Sequence, residues 1–326
     1  MKALIVGAGA VGQVYGQALQ RAGVDVSFYV KPKHVDEAKQ GFRMYPLNGK
    51  REPFRFEGFG VVTTPEEVRA QKWDQLWLAV SATAIMADWL PALIEATGDA
   101  TVVCLQPGPE SKARIGPLAG DRLVYGIIAM IAYQAPLPGE ARFTEPGIAY
   151  WYPPGGSPFS GPDARCKPIV EALAKGGCPA SQQVSLDANA SFGGALLQVH
   201  VAALDSAGWS WTAVKRDDTL PLAKRAWREA AVIAANLLGT KPPWWTDLVG
   251  PFGAKLAMVA APLLIPIDVQ TYFGYHFTKV GDQTRANLDH WIVTGQKAGL
   301  PVGALSELRG RMRPVAAFDP KMTLTS

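Results

Sequence analysis

Residues 1–30 read MKALIVGAGAVGQVYGQALQRAGVDVSFYV, and this stretch decides the fold. Ala3, Leu4, Ile5 and Val6 form an apolar run too short for a surface helix and suited to a strand buried on both faces. Gly7, Gly9 and Gly12 follow at G-x-G-x-x-G spacing. Val14, Ala18, Leu19 and Ala22 then recur at helical intervals up to a stop at Gly23, and residues 24–30 make a second strand. The unit is βαβ, and each glycine has a task in it. Gly7 allows the tight turn out of the strand, Gly9 lets backbone approach a pyrophosphate, and Gly12 permits close helix–strand packing. A dinucleotide diphosphate is expected over Gly7, Ala8, Gly9, Ala10, Val11 and Gly12, at the positive end of the helix dipole.

The end of the second strand bears on which dinucleotide binds. An acidic side chain there would accept from the ribose 2′-hydroxyl of NAD. This chain has Val30-Lys31-Pro32-Lys33-His34 instead; Asp25 begins the strand and Asp36 lies beyond its end. Lys31 and Lys33 beside the ribose favour a 2′-phosphate, which points to NADP(H). The alternative is a pair of solvated surface lysines.

At 326 residues the chain is long enough for two domains. Hydrophobic residues make up 48% and charged residues 18%, as in a compact folded protein. The net charge of +4 is mild and no basic stripe is interleaved with aromatics, so nucleic acid is not expected as a partner. Cys104, Cys166 and Cys178 stand at unrelated spacings, which fits reduced thiols, and no metal-ligand pattern occurs. The amino-terminal strand leaves no room for a signal peptide, and the longest apolar run, 256–267, is too short to span a bilayer and holds Pro262 and Pro266. A cytoplasmic protein is expected, with that apolar stretch making a homodimer plausible.

Further along, residues 35–39 suggest a short helix and 41–62 strands that loop out and return. Thr64 caps a helix starting at Pro65. Residues 76–80 and 101–105 read as buried strands, with one helix over 81–97 between them and a turn at Gln106-Pro107-Gly108-Pro109 closing the second. This alternation predicts a parallel sheet. Residues 123–132 and 147–152 read as antiparallel strands added to its edge, 155–162 as a loop, 164–175 as a helix and 180–185 as a last strand. Beyond Leu186 the strand signal stops, and 190–207, 220–238, 245–260, 268–278 and 283–298 have helical periodicity. The fold class expected is an α/β Rossmann-type dinucleotide-binding domain (1–186) followed by an all-α domain (187–326) for substrate binding or dimerisation.

The sequence resembles the ketopantoate reductase (2-dehydropantoate 2-reductase) family. The resemblance rests on residues 7–12, on Ala22-Gly23-Val24-Asp25-Val26, on Lys31 at the family's 2′-phosphate-binding position, and on residues 276–285 and 298–302, which look like the family's closing helices. It implies NADPH-dependent reduction of a 2-oxo acid, by a monomer or dimer, in a cleft between the domains. The family's lysine proton donor aligns with Leu197 and its two following asparagines with Val201 and Asp205. Gln106 stands at the family's asparagine after a later strand, Ser81 at a lysine on the preceding strand end, and Gln283 near a substrate-binding glutamate. A member lacking the catalytic lysine, acting on a carbonyl other than ketopantoate, is therefore expected.

A reductase still needs a proton donor and groups for the developing alkoxide. His200 lies one turn past the missing lysine, and Asp205 could orient it or bind a hydroxyl. Ser81 and Gln106 stand on the nucleotide side. His276, Lys279 and Asp282 are spaced i, i+3, i+6 along one expected helix face, where Lys279 could replace the lost lysine. The bland alternatives are a hydrogen-bonded core histidine at 200, a buried ion pair at 205 and a solvated helix face at 276–285. Trp209, Trp211, Trp227, Trp244, Trp245 and Trp291 either line an aromatic pocket or pack the core. Two other readings stay open: an opine- or hydroxyacid-type dehydrogenase with His200 as base, and a non-catalytic NADPH-binding sensor.

Overall fold

The computed structural model describes residues 1–314 other than Pro107 and Asp217, with backbone alone at Pro109 and Glu110. Part of the expected turn at 106–109 and the end of the expected second domain, 315–326, thus lie outside the described residues. The chain divides into two compact units, one of residues 1–136 and 141–186, the other of 137–140 and the chain from Asp187 onward.

The first unit begins β1 (Lys2–Val6), α1 (Ala10–Arg21), β2 (Asp25–Tyr29) and α2 (Val35–Lys39). Strands β3 (Phe42–Pro46), β4 (Phe54–Phe56) and β5 (Gly60–Val62) follow, then α3 (Pro65–Arg69) and β6 (Gln75–Leu78). Next come α4 (Ala82–Ile85), α5 (Trp89–Ala96), β7 (Thr101–Cys104), α6 (Pro109–Ala119) and β8 (Leu123–Gly126). The unit closes with β9 (Ile131–Ala135), β10 (Gly147–Trp151), β11 (Ser157–Ser160), α7 (Asp163–Lys175) and β12 (Ala180–Gln182).

The main sheet has the order β12-β11-β8-β7-β6-β1-β2-β5, parallel from β5 to β8. β1 is buried on both faces, as its apolar run requires. Ala3 and Ile5 face the cluster under α1 and α7, while Leu4 and Val6 face the opposite cluster with Leu90, Leu93 and Ile94 of α5. The strand order reverses between β1 and β6, where open α/β sheets bind ligands at the carboxyl ends of their strands.

Four expectations are corrected here. Residues 123–132 do not form one edge strand: β8 continues the parallel sheet, while β9 and β10 belong to a separate four-stranded sheet, β4-β3-β10-β9. In that sheet β3 and β10 pair in parallel across about a hundred residues, and Asn48 prolongs the pairing by bonding both backbone groups of Tyr152. Such long-range pairing leaves no local sequence signal. Residues 157–160, read as loop, are β11, antiparallel to β8. The helix expected over 81–97 is broken into α4 and α5. Pro91 has no N–H for the Ala87 carbonyl, so the helix restarts at Trp89, placing Pro91 in a first turn, and Arg114 donates to that carbonyl at 3.3 Å. Helix α6 was not anticipated at all. The cap at Thr64 forms as a capping box with Glu67.

The second unit is helical: α8 (Gly194–Ser206) preceded by a π-helical turn (Asn189–Gly193), α9 (Trp211–Arg216) and α10 (Thr219–Leu237). A 3₁₀ turn (Trp244–Asp247), α11 (Pro251–Leu264), α12 (Val269–Lys279), α13 (Gly281–Lys297) and α14 (Gly303–Arg311) follow. Its core is α10, whose buried alanines 223, 226, 230, 231 and 234 let neighbouring helices pack against it around Trp227. Glu229 of α10 accepts the N–H groups of Ala304 and Leu305, capping α14 from another helix. That non-local cap is why α14, like short α9, carries little signal in its own sequence. No single helix among the described residues is long and apolar enough to cross a membrane; α11 and α12 pass that test only together, across a bend of 107°.

Candidate dinucleotide site

The first unit holds a cavity of about 780 Å³ at the carboxyl ends of β1, β2 and β6. Gly7 leaves β1 with φ +94° and donates its N–H to the Tyr29 carbonyl at 3.1 Å. A Cβ on Gly7 would stand 2.9 Å from the Ala79 carbonyl oxygen, and one on Gly12 would stand 2.1 Å from the Gly7 oxygen. Helix and sheet touch backbone to backbone there, so both positions require glycine. Gly9 differs: it is the extended N-cap of α1, and a Cβ on it would meet nothing within 4 Å. The space in front of Gly9 is therefore open, on the cavity that Gly9 lines.

No side chain caps α1 and its first turn holds no acidic residue. The first N–H groups of a helix have no partner within it, and the helix dipole favours an anion there. Gly7, Ala8 and Gly9 line the cavity, and Ala10, Val11 and Gly12 form the adjoining first turn. A pyrophosphate fits this cradle.

At the end of β2, Lys31, Lys33 and His34 are exposed and line the same cavity. Lys31 is extended and begins a 3₁₀ turn that Pro32 favours. Glu37, not singled out in the sequence, also lines it and lies 3.5 Å from His34. The site thus offers two lysines against one carboxylate. Val80, Ala84 and Trp89 close the other side; the Pro91 break, which restarts the helix at Trp89, was the signal that could have located them.

Ser81 and Gln106 are placed differently from the expectation that they touch the cofactor. Neither lines the cavity. Ser81 caps α4, accepting the Ala84 N–H at 3.3 Å. The Gln106 side-chain amide donates to the Val80 carbonyl, which fixes the loop after β6. Gln106 is a positioning residue there.

The three catalytic candidates all lie in the helical unit, and the structure does not bring them together as a cluster. Asp205 is buried at the end of α8, where it accepts the Arg313 backbone N–H at 3.0 Å and pairs with Arg285 of α13 at 3.4 Å. Burial pushes its carboxyl up from the usual aspartate range, and the Arg285 guanidinium opposes that shift. It holds the helical unit together and does not orient His200. The face expected across His276, Lys279 and Asp282 is interrupted, because Val280 is non-helical and separates α12 from α13. Lys279 is exposed at the end of α12, while His276 stacks on Tyr272 at 5.4 Å. Burial, then the nearby Lys279 charge, lowers the His276 pKa.

His200 lines a second cavity, of about 530 Å³, wholly within the helical unit. Leu197, which the sequence comparison set at the family's lysine, lines it too, as do Trp245, Leu248 and Ala254. Of the tryptophans, Trp245 alone lines this cavity. Trp227 is buried and stacked on Trp245 at 5.6 Å, Trp291 donates to Gln198, and Trp244 is exposed.

A parallel sheet with this glycine loop, open helix terminus and cavity defines a dinucleotide-binding domain of Rossmann type. Residues 3–154, just under half of the chain, match the family model for ketopantoate reductase PanE/ApbA. Similar solved structures span both units. A PanE/ApbA family ketopantoate reductase from Ralstonia eutropha JMP134 is 20% identical, with a TM-score of 0.68 over 95% of this chain and 96% of its own. A 2-dehydropantoate 2-reductase from Geobacter metallireducens GS-15 is 16% identical, with a TM-score of 0.68 over 96% and 99%. D-mandelate dehydrogenase, in its ternary structure with NADH and anilino(oxo)acetate, is 16% identical with a TM-score of 0.66 over 96% and 97%. At these identities the likeness is one of fold. No protein of curated function matches the sequence.

Proposed function

We propose that the protein is an NADP(H)-dependent oxidoreductase that interconverts a 2-oxo acid, or a similar carbonyl compound other than ketopantoate, with its hydroxy form. The observation that carries the cofactor reading is the pair Lys31 and Lys33 on the cavity that Gly9 opens. When bound, the nicotinamide supplies or accepts the hydride. The backbone N–H groups at the start of α1 hold the diphosphate, and Lys31 holds the 2′-phosphate. Leu197 in place of the family's lysine supports a substrate other than ketopantoate, with proton transfer by another group of the helical unit. The fold shared with D-mandelate dehydrogenase favours a hydroxyacid dehydrogenase as the second reading.

The test is fluorescence titration with NADPH and NADH, followed by absorbance assays with ketopantoate and a panel of larger 2-oxo acids. Tighter binding of NADPH, with turnover of a panel member and not of ketopantoate, is the expected result. In Lys31→Ala, NADPH affinity falls about 10- to 100-fold and NADH affinity is unchanged, since a charge-assisted bond contributes about 1.5–3 kcal/mol. Equal loss for both nucleotides would reject the 2′-phosphate contact. Binding without turnover of any carbonyl would favour a sensor.

A homodimer through α11 belongs to the same proposal. Trp244, Leu248, Phe252, Leu256, Val259, Leu263 and Leu264 are exposed along this segment, Phe252 at 83% and Leu263 at 84%. At about 100 Å² per side chain they offer roughly 700 Å², near the ~800 Å² per partner of a standard interface. Lys255 is the one charged residue of α11, so the stripe is largely apolar and can face its own copy across a two-fold axis. Sedimentation of the wild type at dimer mass, and of Phe252→Glu/Leu263→Glu at monomer mass, is expected. A monomeric wild type would sink this reading.

A further inference from the structure

The cavity in the helical unit is lined by Leu196, Leu197, Trp245, Leu248 and Val249, with small residues of α11 and its cap. His200 is its one titratable lining residue among those described. Ligand cavities of roughly 300–1,000 Å³ have this composition, apolar walls with a few placed polar groups.

The ring of His200 is oriented by its own helix. Nδ1 lies 2.8 Å from the Leu196 carbonyl oxygen, which can only accept. Nδ1 therefore carries the proton, and Nε2 presents a lone pair. Burial lowers the His200 pKa, which keeps the ring neutral. Among the described residues Nε2 has no hydrogen-bond partner. A half-buried acceptor beside an apolar cavity asks for a ligand with one donor and an apolar body.

We propose that this cavity binds a hydroxy compound bearing a bulky apolar group, whose hydroxyl donates to Nε2 of His200. The proposal rests on the oxidoreductase reading for the meaning of that hydroxyl, as the group interconverted with the carbonyl; the binding itself does not depend on it. No cationic side chain lines the cavity, so a carboxylate on the ligand is held outside it. The corresponding oxo compound brings no donor to Nε2 and binds less tightly.

Calorimetric titration without nucleotide tests this, because the cavity lies within one unit. The probes are 2-hydroxy-4-methylpentanoate, its 2-oxo counterpart, and lactate. The branched hydroxy acid is expected to bind at least about tenfold tighter than lactate, from the methylene-sized groups it buries, and about tenfold tighter than the oxo acid. His200→Phe removes the preference for hydroxy over oxo. Ala257→Trp, at an exposed position on the cavity wall, fills the space and weakens both branched ligands about tenfold. Equal affinity for lactate, no binding, or a hydroxy preference that survives in His200→Phe would overturn the proposal. NADPH titration of the same samples separates the two ideas: normal nucleotide binding beside a failed cavity test refutes the cavity alone.

Discussion

Gly12→Ala is expected to abolish nucleotide binding and to destabilise the first unit by roughly 3 kcal/mol, about 6–12 °C in Tm for a unit of this size. The added methyl would stand 2.1 Å from the Gly7 oxygen, 3.3 Å from the Gly7 carbonyl carbon and 3.3 Å from Ile5 Cγ2. Two of these are backbone atoms of the loop itself and cannot rotate away. Relief requires α1 to lift from β1, which breaks the packing of Val14, Ala18 and Leu19 in a core where they are fully buried. It also moves the N–H groups proposed to hold the diphosphate. Gly9→Ala is the control: with nothing within 4 Å, its stability stays at the wild-type value, while its methyl occupies ligand space and weakens nucleotide binding. Thermal denaturation and NADPH titration of both variants check this. A Gly12→Ala protein with wild-type Tm, or a Gly9→Ala protein with wild-type affinity, would refute the assignment of roles in the loop.

Asp205→Ala is expected to destabilise the helical unit by about 3–5 kcal/mol, the usual cost of breaking a buried pair from one side. Arg285 is only 12% exposed, and without Asp205 its charge and the Arg313 N–H lose their shared acceptor. Asp205→Asn keeps an acceptor and loses less. The pH dependence has a definite sign. Burial raises the folded-state pKa of Asp205 above its ordinary value of 3.8, so its protonated form is the better tolerated one in the fold. Its contribution is complete below 3.8 and declines as pH rises through the raised pKa. The wild type should therefore lose stability relative to Asp205→Asn over that window, as read by urea denaturation at stepped pH. If Asp205→Ala left stability intact but removed turnover, Asp205 would be a catalytic residue after all.

The dinucleotide domain was legible because its signals are local. The apolar run 3–6, the glycine spacing and the helix stop at Gly23 lie within thirty residues, and each acts through backbone geometry that a short sequence dictates. The capping box at Thr64 is local in the same sense. The four-stranded sheet was not legible, since β3 meets β10 only through pairing across a hundred residues. The helix break at 86–88 was written in Pro91, but its repair by Arg114 was not.

The sequence by itself determined the class of fold and the geometry of the glycine loop, because turn, helix start and buried strand are specified by neighbours in the chain. Only the tertiary structure decided what the polar candidates do. Asp205 became a structural ion pair through Arg285 eighty residues away, and Gln106 was taken up by the Val80 carbonyl. His200 was left with a free acceptor because its other nitrogen is bound to its own helix and the wall beside it is apolar. A side chain's chemistry is set by which groups compete for it, and those competitors come from distant parts of the chain.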